Sequence, residues 1–184
     1  MDALTLLTTR RSEKKLSAPV PNNEQLELIF QAATHVPDHG KLQPYHFIVI
    51  ENDGLKKLET LLKSAVTELK LDEKRLQKAE KIASTAPMMI AVVAKINTDI
   101  AKVPAWEQML SAGCSAYAMQ LAANAQGFDN VWVTGPWVDG SDLREALGCA
   151  PKDKVIGFII LGTSQEKITR EPKTVKTENF VSYL

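Results

Sequence analysis

An α+β sandwich, with one sheet packed against a large helical layer, is the fold this 184-residue chain predicts. Three observations carry that prediction. Helical and strand patterns interleave in the order helix, helix, strand, two helices, strand, long helix, strand, helix, strand, tail. The longest helical stretch, Ala105 to Gln126, has small and apolar residues around its whole circumference, as a helix buried on all sides does. No strand is followed by a glycine-rich dinucleotide fingerprint, which argues against a doubly wound nucleotide fold.

Taken in order, Asp2 to Thr9 predicts a short helix with Asp2 as its cap. Arg10-Arg11-Ser12 follows it. Two forked guanidinium donors beside a hydroxyl suit a phosphate, and they equally suit a solvated basic turn. Ser17 to Asn22 is a proline-containing connector, and Asn22 or Asn23 caps a helix running to Thr34. Its apolar positions are Leu26, Leu28, Ile29, Ala32 and Ala33, and Pro37 prevents its continuation. Tyr45 to Ile50 is aromatic and β-branched, as a buried strand is.

Leu55 to Lys70 and Asp72 to Ser84 predict two charged helices with solvated faces. Ala86 to Ala94 is continuously apolar and predicts a buried strand. A loop over 97–104 leads into the long helix, about 33 Å in length, with Gly127 placed to end it. A domain this small has difficulty enclosing such a helix, so one face is expected to meet a second subunit. Asp129 to Thr134 predicts a short strand and Gly135-Pro136-Trp137 a break. A helix from Asp139 or Ser141 to Leu147 and a strand from Val155 to Leu161 complete the domain. Beyond Ser164 the chain is polar until Phe180 to Leu184, an arm expected to dock on something.

Composition narrows the function. Lys+Arg and Asp+Glu balance at 22 each, so no overall field recommends nucleic acid or an anionic membrane. The longest apolar run, Met88 to Ala94, is far shorter than a membrane span. The first arginines follow the N-terminal apolar patch, the wrong order for a secretory signal. Two cysteines without metal spacing fit free thiols, and a single cytoplasmic domain over 1–184 is expected.

Three constellations could carry chemistry. The first joins Arg10-Arg11-Ser12 and the strand end at Trp132-Val133-Thr134 to the 35–43 loop, which concentrates two histidines, an aspartate, a lysine and a glutamine at a helix-to-strand crossing, where a ligand would account for them. A polar surface loop is the plainer alternative. His35 and His39 have the spacing of helical metal ligands, with Asp38 and His46 nearby, but Pro37 disfavours the intact helix this needs. Cys114 with a histidine base could act as a nucleophile, although an Ala/Gly/Met-rich helix suits it better as a small core residue.

Arg10-Arg11-Ser12 after a short helix, Gln43-Pro44-Tyr45-His46-Phe47 leading into the first long strand, and the alanine-rich central helix together resemble nitroreductase-like FMN flavoproteins. Val36-Pro37-Asp38-His39, Val103-Pro104-Ala105-Trp106-Glu107-Gln108 and Ala125-Gln126-Gly127-Phe128 resemble one short bacterial branch, the NAD(P)H nitroreductases of the YdjA type. The resemblance covers essentially the whole chain. It implies a nitroreductase-like sandwich, with a mixed or antiparallel sheet and helices around the long central helix, and a C-terminal arm. It also implies a homodimer with FMN at the subunit interface.

By the same resemblance, Arg10, Arg11 and Ser12 hold the phosphate end of FMN. His35 and His39 lie against the cofactor, and Gln43 faces the polar edge of its ring. Trp132, Val133 and Thr134 reach FMN from the strand after the long helix. Ala122, Ala123, Asn124, Ala125, Gln126 and Gly127 correspond to the segment for NADH or NADPH. The implied activity is reduction of nitroaromatics, quinones or similar electron-poor acceptors by ping-pong hydride transfer through flavin N5. No side chain then acts as nucleophile or base, and no metal is needed. A flavin-binding protein that stores, senses or delivers FMN is the alternative. His35 departs from the Arg common in relatives, Tyr45 from Trp, and Lys14 or Lys15 stands in for a further Arg. Lys167 and Arg170 lie where larger relatives place C-terminal phosphate ligands, but the tail aligns poorly and they are left out of the site.

Overall fold

The structure, a computed structural model, describes residues 2–166 and 175–184, so Lys167 and Arg170 lie outside it. Its elements are α1 (Ala3–Thr9), β1 (Leu16–Ser17), α2 (Asn23–Thr34), β2 (Tyr45–Ile50), α3 (Asp53–Glu68), α4 (Glu73–Thr85), β3 (Met88–Ala94), α5 (Ala105–Ala125), β4 (Asp129–Val133), α6 (Ser141–Ala146) and β5 (Lys154–Ser164). The two-residue strand β1 was not anticipated, because two residues show no period. It pairs through Leu16 with Ser164 and Ser17 with Thr163, so β5 runs on past Gly162-Thr163, where the sequence suggests closure.

Every pairing among the described residues is antiparallel. The order is β1-β5-β3-β2, with β4 also on β5. All seven residues of β3 are buried, because helices cover both faces of the sheet. Met89, Ala91 and Val93 meet the core of α3, α4 and α6, while Met88, Ile90 and Val92 meet that of α2 and α5. This explains the unbroken apolarity of the strand and replaces the expected single helical layer with two.

Local chemistry sets the helix ends. Asn22 and Gln25 form a reciprocal capping box at 2.9 Å in each direction. Gly127 (φ 87°) ends α5 in a Schellman motif. There Phe128 N–H donates to Ala123 O at 3.0 Å and Gly127 N–H to Asn124 O at 3.0 Å.

The start of β5 is tied to the end of β3 by Asp153. Its carboxylate pairs with Lys95 and accepts from Ile96 N at 2.9 Å and Ala150 N at 2.8 Å. Burial alone would raise the Asp153 pKa. The hydrogen bonds from Lys95, Ile96 and Ala150 outweigh it and hold the group below the usual carboxylate value.

The long helix has no polar-out, apolar-in division. Its buried face mixes Ala112, Ala116, Met119 and Ala123 with Gln108, Ser111, Ser115 and Gln120. Gln108 donates to Asn97 O and Val103 O, Ser115 to Ala33 O, and Gln120 to Asn130 Oδ1, at 2.7–2.9 Å. The opposite face leaves Trp106 (56%), Leu110 (60%) and Tyr117 (39%) exposed. Cys114 is on that exposed face rather than in the core. The pattern that makes the helix look buried all round is therefore met on one side by polar groups satisfied internally. The other side remains open in a single chain.

Candidate active site

Two backbone features build the site around Trp132 on β4. A bulge in the β3–β5 ladder falls opposite Val92/Val93 and leaves Ile156 out of register. Next to it, Gly157 has φ 145°, and a Cβ there would lie 2.5 Å from Trp132 Nε1 and 2.7 Å from Val133 O. Only glycine lets the indole lie flat on β5 and donate weakly to Ile156 O at 3.4 Å.

Trp132 and Ile156 floor a groove of about 590 Å³. One wall is the exposed face of α5, including Leu110, Cys114, Tyr117 and Leu121; the other is His35-Val36-Pro37. Arg10 caps the Tyr117 side, its guanidinium 5.7 Å from the ring centroid. Its Nε and Nη2 are buried and have no acceptor among the described residues. Such donors are expensive to leave unmade, and an anion is the partner a guanidinium selects.

The loop beyond the groove is pinned by carboxylates. Asp38 accepts from Gln43 N at 2.7 Å, across a turn in which Gly40, Lys41 and Gln43 all have positive φ. His39 Nδ1 lies 2.6 Å from Glu107 Oε2 in the first turn of α5.

Of the residues expected in the site, His35 and Trp132 line the groove, Arg10 meets it through Tyr117, and His39 lies beyond its lining, on Glu107. Arg11 donates instead to Thr8 O at 3.3 Å and Arg10 O at 2.8 Å, and Ser12 is exposed. Val133 packs on the opposite side of the sheet, against the α3/α4/α6 core, and Thr134 is exposed at the strand end. Gln43 lines a separate polar cleft with Lys95 and Asp153. In the 122–127 segment, Ala123 is buried in the core. Asn124 donates to Phe128 O at 2.9 Å and Gln126 to Gln25 O at 3.1 Å, which leaves Ala125 and Gly127 exposed.

Sequence reasoning missed Tyr117 and Glu107 as site residues, and named Asp38 beside a metal site rather than as the acceptor of Gln43 N–H. An aromatic ring in an apolar helix reads as packing, and each carboxylate's partner lies across a fold contact or a turn. Among the described residues, no three His, Cys, Asp or Glu side chains converge as a metal site would need.

Residues 7–163 match the Nitroreductase family. A Haemophilus influenzae protein named "Putative NAD(P)H nitroreductase" is 64% identical over 184 residues, spanning 100% of both chains. "Putative NAD(P)H nitroreductase YdjA" of Escherichia coli K12 is 43% identical over 183 residues, again spanning 100% of both. Among solved structures, a nitroreductase-like protein from Bacillus cereus superposes with a TM-score of 0.83 at 19% identity, over 100% of this chain and 96% of its own. A nitroreductase with bound FMN from Bacteroides fragilis gives 0.74 at 22% identity, over 98% and 97%.

Proposed function

The chain belongs to the Nitroreductase family, and from that premise we propose that it is an FMN-dependent NAD(P)H oxidoreductase reducing nitroaromatic, quinone or similar electron-poor acceptors. The observation that carries this reading is the pair of unpartnered buried donors on Arg10, set at the side of an apolar groove floored by an indole. A flat aromatic ring with a phosphate tail meets both demands. The chemistry of the residues present therefore fits FMN.

Arg10 holds the phosphate, with Ser12 free to add a hydroxyl. Trp132, Tyr117, Leu121 and Ile156 exclude water from the ring. His35 and His39 supply ring nitrogens from the loop. When bound, FMN supplies two-electron redox chemistry between NAD(P)H and the acceptor. The exposed backbone at Ala125 and Gly127, just beyond Leu121, is where the nicotinamide dinucleotide passes out of the groove. A second copy packed on the α5 face covers the groove and makes the active unit a homodimer.

The purified protein is expected to be yellow, and anaerobic NADPH or NADH should bleach it. A yellow protein that neither nucleotide bleaches would instead be a flavin carrier or sensor. A colourless protein that FMN cannot reconstitute would refute both readings.

A further inference from the structure

Among the described residues, the side chain of His39 is held through its Nδ1. Glu107 Oε2 lies 2.6 Å away, and an ionised carboxylate only accepts, so Nδ1 carries the proton. His35 shows the same arrangement by another route: its Nδ1 lies 2.7 Å from Gln31 O, and a carbonyl also only accepts. In the neutral form of both rings the hydrogen bond at Nδ1 fixes which nitrogen is left as an acceptor, and that nitrogen is Nε2. Both histidines are exposed, so Nε2 is open to a ligand.

The two anchors differ in what they can fix. His35 is bonded within its own helix turn. His39 sits on the turn with positive φ at Gly40 and Lys41, and Glu107 binds it across to α5. Glu107 is well placed to do so, because a carboxylate in the first turn of a helix is favoured by the helix dipole.

We propose that Glu107 is a positioning residue for the FMN site: it accepts the Nδ1 proton of His39, fixes that ring against α5, and leaves Nε2 to accept a hydrogen bond from a hydroxyl or N–H of FMN. The proposal rests on the reading of the groove as an FMN site. It assigns His39 to the donor groups of the cofactor, its ribityl hydroxyls or ring N–H, and leaves the phosphate to Arg10.

The test uses ¹⁵N-histidine NMR together with FMN titrations. The chain has 3 histidines, so each ring can be assigned by single His→Gln variants, with exposed His46 as a reference. The wild type should report an Nδ1–H tautomer for His39. Glu107→Ala should move it toward Nε2–H and raise the FMN Kd about five- to tenfold, the worth of one hydrogen bond. Glu107→Gln keeps an acceptor oxygen and should retain both the tautomer and, within about twofold, the affinity.

In the His39→Ala background Glu107→Ala should add almost nothing to the Kd. A loss of helix stability alone would move none of the tautomer signals. An unchanged tautomer in Glu107→Ala, or an equal loss of affinity with and without His39, would overturn the role of Glu107 and leave the FMN reading standing. If His39→Ala binds FMN like the wild type, His39 is no cofactor contact and the proposal falls. If the wild type binds no FMN, the proposal falls with the FMN reading itself, while the spectrum of the free protein still reports the Glu107–His39 pair.

Discussion

The guanidinium of Arg10 stacks over Tyr117 at 5.7 Å, yet its Nε and Nη2 find no acceptor among the described residues. The aromatic contact fixes the group's position, and the missing acceptors define what it awaits. This pairing links the N-terminal Arg-Arg-Ser segment to the exposed face of the long helix.

Arg10→Ala should weaken FMN binding by about 1.5–3 kcal/mol, the range for a hydrogen bond to a charged group. Riboflavin lacks the phosphate and should bind wild type and variant alike. Buried donors without partners cost about 1–3 kcal/mol, so Arg10→Met should melt no lower than wild type when cofactor is absent. Equal losses for FMN and riboflavin by fluorescence titration would remove Arg10 from the phosphate site.

Asp153 should govern acid stability. Its carboxylate is 3% exposed and its partner Lys95 39%, so Asp153→Ala should cost about 3 kcal/mol, the lower end for a broken buried pair. The folded pKa lies below the unfolded value. The contribution is therefore complete above the unfolded pKa of about 4 and is lost as pH falls through the folded value. Urea melts of wild type and variant should differ at pH 7 and converge in acid. A constant difference down to the acid transition would show that packing, not charge, is responsible.

Gly157 should tolerate nothing larger. Alanine would press on Trp132 and on Val133 O and would strain a backbone at φ 145°. Gly157→Ala should cost about 1–3 kcal/mol, the usual penalty of overpacking, and should shift the Trp132 fluorescence. An unchanged emission spectrum would mean that the indole does not depend on this glycine.

Most of this architecture could be read from the chain because its signals are local. Asn22, Pro37 and Gly127 mark helix ends by their own backbone chemistry, and β3 declares its burial by seven consecutive apolar residues. Arg10, His35 and Trp132 could be picked out by motif; the last two line one groove, and Arg10 meets the Tyr117 of its wall. What stayed hidden depends on contacts between distant segments. Glu107 meets His39 across 68 positions, and the bulge at Ile156 exists only in the pairing of β3 with β5. Cys114 was misplaced because small residues on α5 look alike whether they face the core or open surface.

The exposed stripe on α5 should be the dimer contact. Leu110 is 60% exposed at its centre, and a contiguous apolar face of this kind marks an interaction surface. Wild type should sediment at twice its 20.3 kDa chain mass. Leu110→Glu should sediment as a monomer and lose FMN with the same concentration dependence. A dimeric Leu110→Glu variant that keeps its flavin would place the interface elsewhere.

The kinetics should be ping-pong. The groove beside Trp132 is bounded by α5 on one side and by His35 to Pro37 on the other, and with FMN on its floor both substrates are expected to reach the ring from the one open side. No glycine-rich motif provides a separate dinucleotide site, and the side chains of Ala123, Asn124 and Gln126 are engaged in holding the end of α5. On the proposed function, NAD(P)H and the acceptor are expected to take turns in the same space. Double-reciprocal plots at several acceptor concentrations should be parallel, and each substrate should inhibit competitively against the other when in excess. Enzyme reduced by NADPH and freed of the oxidised nucleotide should still reduce a quinone in one turnover. Intersecting lines, together with a stable complex holding both substrates, would require a second pocket. The polar cleft at Gln43, Lys95 and Asp153, of about 440 Å³, would then be the first place to look.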